Sequence, residues 1–237
     1  GLLNVGKNEI LVTVGDGWWR GDTGYGGVRN SFGTDLAILC QLEIDRKTVL
    51  ISDKSWSASQ EGPLGLNDLM QGECYDARKE NICEWHPVTE KQFGYENLVC
   101  SNSFDVVEKE NYTGKQIHTP NGEVVIDFGQ NIAGYVKFGF YAQAGQCITL
   151  YHGECLDQNG NFTQENFQAP EHRVEQCVKY ICKEGWNEYK PEKSIFGFRY
   201  IKAITDVKVT EKNFTAIAVY SDMPQTGKFE CGHPGIN

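Results

Sequence analysis

The chain has 237 residues, a formal net charge of −10 and 40% hydrophobic residues. A surface of that sign lacks the Lys/Arg excess that a phosphate backbone requires, which argues against nucleic acid as a partner. No apolar run is long enough to cross a bilayer, and no basic segment followed by an apolar stretch opens the chain, so a membrane is not expected and the cytoplasm is the expected compartment.

Asn8–Val14 is a β-rich run, entered by a turn at Val5–Asn8. Gly15–Gly27 follows, reading GDGWWRGDTGYGG. Glycine at this density is unsuited to a helix or a strand interior, because each costs backbone entropy and brings no side chain to pack. The loop sets the aromatics Trp18, Trp19 and Tyr25 beside Asp16, Arg20 and Asp22. An indole ring can stack on the apolar face of a pyranose while neighbouring charges bond its hydroxyls, so Trp18, Trp19, Arg20, Asp16 and Tyr25 are the candidate sugar-binding residues. Adjacent residues on extended chain point to opposite faces, which predicts one tryptophan in the core and one exposed.

Asp35–Ile44 alternates Leu36, Ile38, Cys40, Leu42 and Ile44 on one face and reads as a half-buried strand. Asp45–Lys47 is a turn, and Thr48–Ser52 is a strand that could pair back. Ser55–Ser59 is extended, Gly62–Gly65 a loop, and Gly72–Arg78 a polar stretch of small residues. Residues 81–105 have weak periodicity and read as an irregular connection.

A second β-region begins at Gly122. Its strands are Val124–Phe128, Tyr135–Ala142, Cys147–His152, Gln176–Cys182, Arg199–Asp206 and Phe214–Tyr220. Within Tyr135–Tyr141, Val136, Phe138 and Phe140 alternate against Tyr135, Lys137 and Tyr141. The best helix candidate is Glu165–Val178, although Pro170 lies within it. Short strands with regular turn signals predict an all-β fold: two antiparallel β-sandwich or jelly-roll domains in tandem, over 1–80 and 106–223.

Asp127–Asn131 (DFGQN) reads as a strand leaving its sheet at a glycine turn, with Gln130 and Asn131 supplying local or interdomain hydrogen bonds. Arg199, among aromatics in Gly197–Tyr200, reads as a cation–π packing group in a strand that abuts another domain. Asp127, Gln130, Asn131 and Arg199 are therefore the candidate interdomain set. His152, Glu154 and Asp157 cluster in sequence, but Glu154 and Asp157 at a strand end are an ordinary way to solvate a loop. No acid/base pair stands out, so no catalytic residue is assigned. The nine cysteines include no CxxC pair and read as reduced, apolar residues, and no metal ligand set is assigned.

In order, GDGWWRGDTGYGG, Trp56–Ser59 with Gly62-Pro63, GECYDARKE, DFGQNIAGYVKF, GQCITLYHGECLDQNGNF, KPEKSIFGFRYIK and VYSDMPQTGKFECGHPGIN cover nearly the whole chain. This series resembles the N-terminal β-modules of bacterial α-L-rhamnosidases. The resemblance implies a glycoside hydrolase that removes terminal α-L-rhamnosyl groups with inversion, its acid and base lying in an (α/α)6 barrel after these modules. Residues 1–80 then correspond to a carbohydrate-binding-like β-domain, 106–223 to a second sandwich, and 224–237 to the start of the barrel. On this reading the chain is a fragment without the catalytic barrel, and its partners are that barrel and a rhamnose-containing carbohydrate. Some members bind rhamnose with calcium through a module of the first type, which makes calcium the candidate cofactor. A stand-alone carbohydrate-binding module and a purely structural spacer are the alternatives.

Overall fold

The computed structural model describes residues 3–24, 27–169 and 173–236. Gly17–Arg20 forms a single helical turn, α1. Strands β1 (Gln41–Ile44) and β2 (Lys47–Ile51) pair antiparallel. Asp45 and Arg46, with φ of 50° and 63°, supply the left-handed turn whose twist suits a two-residue hairpin. β3 (Ser57–Ala58) pairs with β6 (His86–Pro87) across β4 (Leu64–Asp68) and β5 (Gly72–Asp76), which form a hairpin of their own.

The expected strand at Asn8–Val14 does not form, and of Asp35–Ile44 only β1 is strand. Alternation marks a face, but a strand also needs a partner for its backbone groups. Ile10, Leu11, Val12, Val14, Ile38 and Leu39 all remain exposed.

From residue 106 the strands are β7 (Val106–Thr113), β8 (Lys115–His118), β9 (Val124–Ala142), β10 (Cys147–Gly153), β11 (Cys177–Ile181), β12 (Gly185–Tyr189), β13 (Phe196–Thr205) and β14 (Phe214–Ser221). One sheet runs β4-β5-β11-β10-β13-β9-β14-β7, with β8 and β12 added on β9. β9 joins two predicted strands into one. Its first part pairs with β8 and β13, and its last part with β14 and β12. The chain therefore does not leave the sheet at Gly129. It bends there, with Gly129 at φ 78°.

The core confirms the alternation. Val136, Phe138 and Phe140 of β9 are buried against Ile148 and Leu150 of β10, Val178 and Tyr180 of β11, and Phe214 of β14. Each such side chain contributes about 1.5–3 kcal/mol through removal from water. On β13 the inward set is Phe196 and Phe198, then Ile201 and Ala203. Period two is broken by one residue, and the register against β9 shifts between Phe198 and Tyr200. A bulge at that point keeps both halves facing the core.

The molecule is all-β, with antiparallel sandwich sheets. Among the described residues the exception is β5, which pairs parallel with β11. That pairing places the 64–76 hairpin at the edge of the sheet built by later residues. A Cβ at Gly72 would lie 1.9 Å from the Cys177 carbonyl oxygen, so glycine is required there. The expected helix over Glu165–Val178 is reduced to a 3-10 turn at Glu165–Phe167, and residues 173–176 carry no helix before β11 begins at Cys177. Residues 165–178 have no sustained apolar stripe to bury a helix face.

Candidate functional site

Arg29 organises the glycine-rich loop. Its Nη2 lies 2.6 Å from Asp16 Oδ2, and its Nη1 lies 2.6 Å from Asp68 Oδ2 and 3.3 Å from Asp22 Oδ1. Asp68, whose side chain is fully buried, also accepts from the backbone N–H groups of Asp22, Met70 and Gln71. Gln71 Nε2 donates to Asp22 Oδ2 at 2.7 Å. Arg20 Nε donates to Asp16 Oδ1 at 2.7 Å. Burial opposes the charge on Arg29, but the Asp16 hydrogen bond and the charges of Asp68, Asp16 and Asp22 outweigh it, and its pKa is raised. The three carboxylates tie the loop to the β4–β5 hairpin, which is itself part of the main sheet.

On this base α1 presents both indoles. Trp18 is 56% exposed and Trp19 49%. The expectation of one buried and one exposed ring fails because the pair sits on a helical turn, where successive side chains are about 100° apart rather than opposed. The expectation that glycine would bar a helix fails with it: Gly17 lies at φ 50° and opens the turn, and Gly21 follows it. Trp19 is the better anchored, with Nε1 donating to the Asp35 carbonyl at 2.9 Å and its ring lying over Gly33. Arg20 lies beside them, partly exposed and paired to Asp16. Tyr25 lies outside the described residues.

The structure thus brings Asp16, Trp18, Trp19 and Arg20 together, with both Asp16 oxygens held by arginines. Sequence reading missed Arg29 and Asp68. Arg29 lies two residues past the glycine-rich stretch, and Asp68 is an isolated acid at the end of β4, so only their spatial meeting reveals them. The loop does not fit calcium, because a guanidinium occupies the point where its carboxylates converge. Among the described residues no group of three or more His, Cys, Asp or Glu side chains is placed to hold a metal.

The second candidate set lies at the bend of β9. Arg199 donates to both Asp127 oxygens at 2.8 Å, and Asp127 Oδ1 accepts from Gly129 N at 2.7 Å. The Arg199 hydrogen bond is the main cause that lowers the Asp127 pKa. The Arg199 guanidinium also lies 4.9 Å from the Tyr200 ring centroid. Asp127 and Arg199 therefore bind each other within one sheet, while Gln130 and Asn131 stand exposed beside them.

Asp157 caps its own loop, accepting from Asn159 N and Asn161 N, and Glu154 accepts from Asn166 Nδ2. His152 is fully buried, stacked on Phe196 at 4.0 Å, with Nδ1 against the Gln176 carbonyl at 3.0 Å.

Two family profiles match the chain. The alpha-L-rhamnosidase N-terminal domain matches residues 1–116, and the bacterial alpha-L-rhamnosidase concanavalin-like domain matches residues 117–220. An alpha-L-rhamnosidase of Formosa agariphila is 28% identical over 261 residues, covering 100% of this chain and 27% of the relative. One of Streptomyces avermitilis is 28% identical over 250 residues, covering 98% of this chain and 24% of the relative. The chain thus spans about a quarter of the length of the curated relatives it matches. Among solved structures, the native Aspergillus terreus enzyme superposes with a TM-score of 0.81 at 30% identity, covering 94% of this chain and 27% of that one. The Streptomyces avermitilis alpha-L-rhamnosidase complexed with L-rhamnose gives 0.77 at 26% identity, covering 93% and 22%.

Proposed function

The chain belongs to the bacterial alpha-L-rhamnosidase family through its N-terminal and concanavalin-like domains, and from this we propose that it is a non-catalytic β-region of such a glycoside hydrolase, supporting a catalytic barrel and offering the Trp18–Trp19 turn to sugar. The observation that carries the supporting role is the surface of residues 3–106. The chain exposes 16308 Å², against about 10,700 Å² expected of a folded monomer of 26.7 kDa. Leu11, Val49, Ile51, Trp85, Phe93, Leu98 and Val99 are all exposed, and among the described residues Ala77 is the sole fully buried apolar side chain before Val125. Apolar surface on this scale marks a region that packs against something else. With the resemblance to rhamnosidases, this supports reading that partner as the catalytic barrel of the same parent protein.

The sugar role is supported by two half-exposed indoles beside Arg20 on a turn fixed by Arg29. Inverting hydrolysis needs one ionised and one protonated carboxyl roughly 6.5–9.5 Å apart across a substrate cleft. The clustered acids Asp16, Asp22 and Asp68 are instead spent on Arg29. The test is an assay of the purified chain on an aryl α-L-rhamnoside. No release of rhamnose is expected. Release that disappears in Glu154→Gln or Asp157→Asn would overturn the non-catalytic reading.

A further inference from the structure

A cavity of about 360 Å³ opens between β7, the middle of β9 and the loop that joins β12 to β13. Its walls include Val106 and Glu108 of β7, Tyr135 of β9, and Glu192, Lys193 and Ile195 of the loop. It lies apart from the Trp18–Trp19 turn and uses none of the same residues.

The walls are held in place. Lys193 N donates to the buried Glu73 Oε1 at 2.8 Å, which ties the loop to β5. Ser194, next to it, is 1% exposed. On the opposite side Glu108 Oε1 accepts from the Tyr135 hydroxyl at 2.7 Å and from Lys190 Nζ at 2.5 Å. Lys190 Nζ also lies 5.8 Å from the Tyr135 ring centroid. A site whose polar groups are already oriented spends little entropy on binding.

The charges decide the ligand class. Glu108 pairs with Lys190 at 2.5 Å, and the neighbouring Glu192 and Lys193 carry opposite formal charges, so the formal charges of these four groups cancel and favour neither an anion nor a cation. It offers carboxylate acceptors and ammonium donors beside the apolar flanks of Val106 and Ile195. A ring that presents hydroxyls on its rim and C–H groups on its face matches that mixture. The volume sits at the low end of small-molecule sites, about 300–1,000 Å³, which suits one sugar ring rather than a chain of them.

We propose that this cavity is a second carbohydrate site, for a single neutral hexose or deoxyhexose ring, formed between β7 and the 190–195 loop. It extends the reading of the chain as part of a carbohydrate-active protein, and it stands whether or not Trp18 and Trp19 bind sugar.

The experiment is saturation-transfer NMR of the purified chain with L-rhamnose, D-glucose and D-galacturonate, in wild type and in Val106→Trp, Glu108→Gln and Trp18→Ala. Val106 is exposed at the start of an edge strand, so Val106→Trp fills the cavity without disturbing the core. Saturable binding of a neutral sugar near the millimolar range is expected, abolished by Val106→Trp, weakened about tenfold by Glu108→Gln and retained in Trp18→Ala. No saturable signal up to about 100 mM, far weaker than the millimolar end of useful affinity, would overturn the proposal. So would a signal indifferent to Val106→Trp in a variant whose circular dichroism matches wild type, or tighter binding of galacturonate than of either neutral sugar. Loss of all signal in Trp18→Ala alone would transfer the binding to the other loop.

Discussion

The Tyr189 hydroxyl donates a 2.8 Å hydrogen bond to the buried Glu73 carboxylate, joining a strand of the first matched domain to a strand of the second. Lys193 N and Asn67 Nδ2 bond the other oxygen of the same carboxylate. Burial raises the Glu73 pKa against the opposing hydrogen bonds from Tyr189 and Lys193 N. Glu73 thus ties β5 to β12 and to the loop that follows it.

Glu73→Gln should therefore fold, because the amide oxygen can accept from Lys193 N and Asn67 Nδ2 while the amide N–H donates to the Tyr189 hydroxyl oxygen. Glu73→Ala leaves those donors orphaned and should cost about 2–4 kcal/mol. The sign with pH follows from a folded pKa above the ordinary carboxylate value. Wild type holds the proton that the unfolded chain releases, so this contribution is full below the unfolded pKa and is lost as pH rises through the folded one. Urea midpoints should show Glu73→Gln gaining on wild type as pH rises. A constant difference between pH 4 and pH 8 would contradict the assignment.

His152 has the opposite sign. Burial pulls its pKa from 6.5 to about 4, with the Gln176 carbonyl opposing. Between those values the unfolded chain binds a proton that the folded chain refuses. Stability should therefore fall as pH drops through that window, by about 1.4 kcal/mol per unit in the middle of it. His152→Phe removes the titration while keeping a ring against Phe196, so its stability should change less from pH 7 to pH 5. Parallel pH slopes for the variant and wild type would show that another group dominates.

The second β-region was largely legible because its strands carry a buried face: Val136, Phe138 and Phe140 stand in the sequence as they stand in the core. β5 was not legible, since Gly72–Asp76 has no alternation and gains its place by parallel pairing with β11, a long-range event without local signature. The fusion of two strands into β9 was hidden by Gly129, which reads as a terminator and acts as a bend. Asn8–Val14 shows the converse error, with strong β propensity but no partner for its backbone. At the candidate site the aromatic pair was visible and its geometry was not, because a one-turn helix between glycines has too few residues to show a period. Arg29 and Asp68, 39 positions apart, meet only in three dimensions.

Arg29→Ala should destabilise the loop and its tie to the sheet. Asp68 stays buried and Asp22 nearly so when their counter-charge is removed. Breaking such a pair from one side costs about 3–5 kcal/mol when both partners are buried, and the partial exposure of Arg29 reduces this to about 2 kcal/mol. Arg29→Lys keeps the charge but cannot span Asp16 and Asp68 with a fork, so it should recover part of the loss. Equal stability of Arg29→Ala and wild type in calorimetry would remove Arg29 from its organising role.

Trp18 and Trp19 should separate in experiment although they are adjacent. Trp19 donates to Asp35 and lies over Gly33, so Trp19→Ala loses a hydrogen bond and a packed ring and should lower stability by about 1–2 kcal/mol. Trp18 is the more exposed of the two, and Trp18→Ala should leave the unfolding midpoint within about 0.5 kcal/mol of wild type. If the turn receives rhamnose, the exposed ring supplies the apolar contact, through the methyl group and C–H face of the sugar, while Arg20 offers donors to its hydroxyls. A single open monosaccharide site binds near the millimolar end, about −4 kcal/mol, so losing an indole should remove detectable binding. Rhamnose should therefore quench or shift the tryptophan emission of wild type, and Trp18→Ala should abolish that response while remaining folded. Trp85 and Trp186 are also about half exposed, so Trp85→Phe and Trp186→Phe serve as background controls that should retain it. A response that survives Trp18→Ala and disappears in either control would place sugar elsewhere and reduce the turn to a structural cap on the Arg29 cluster.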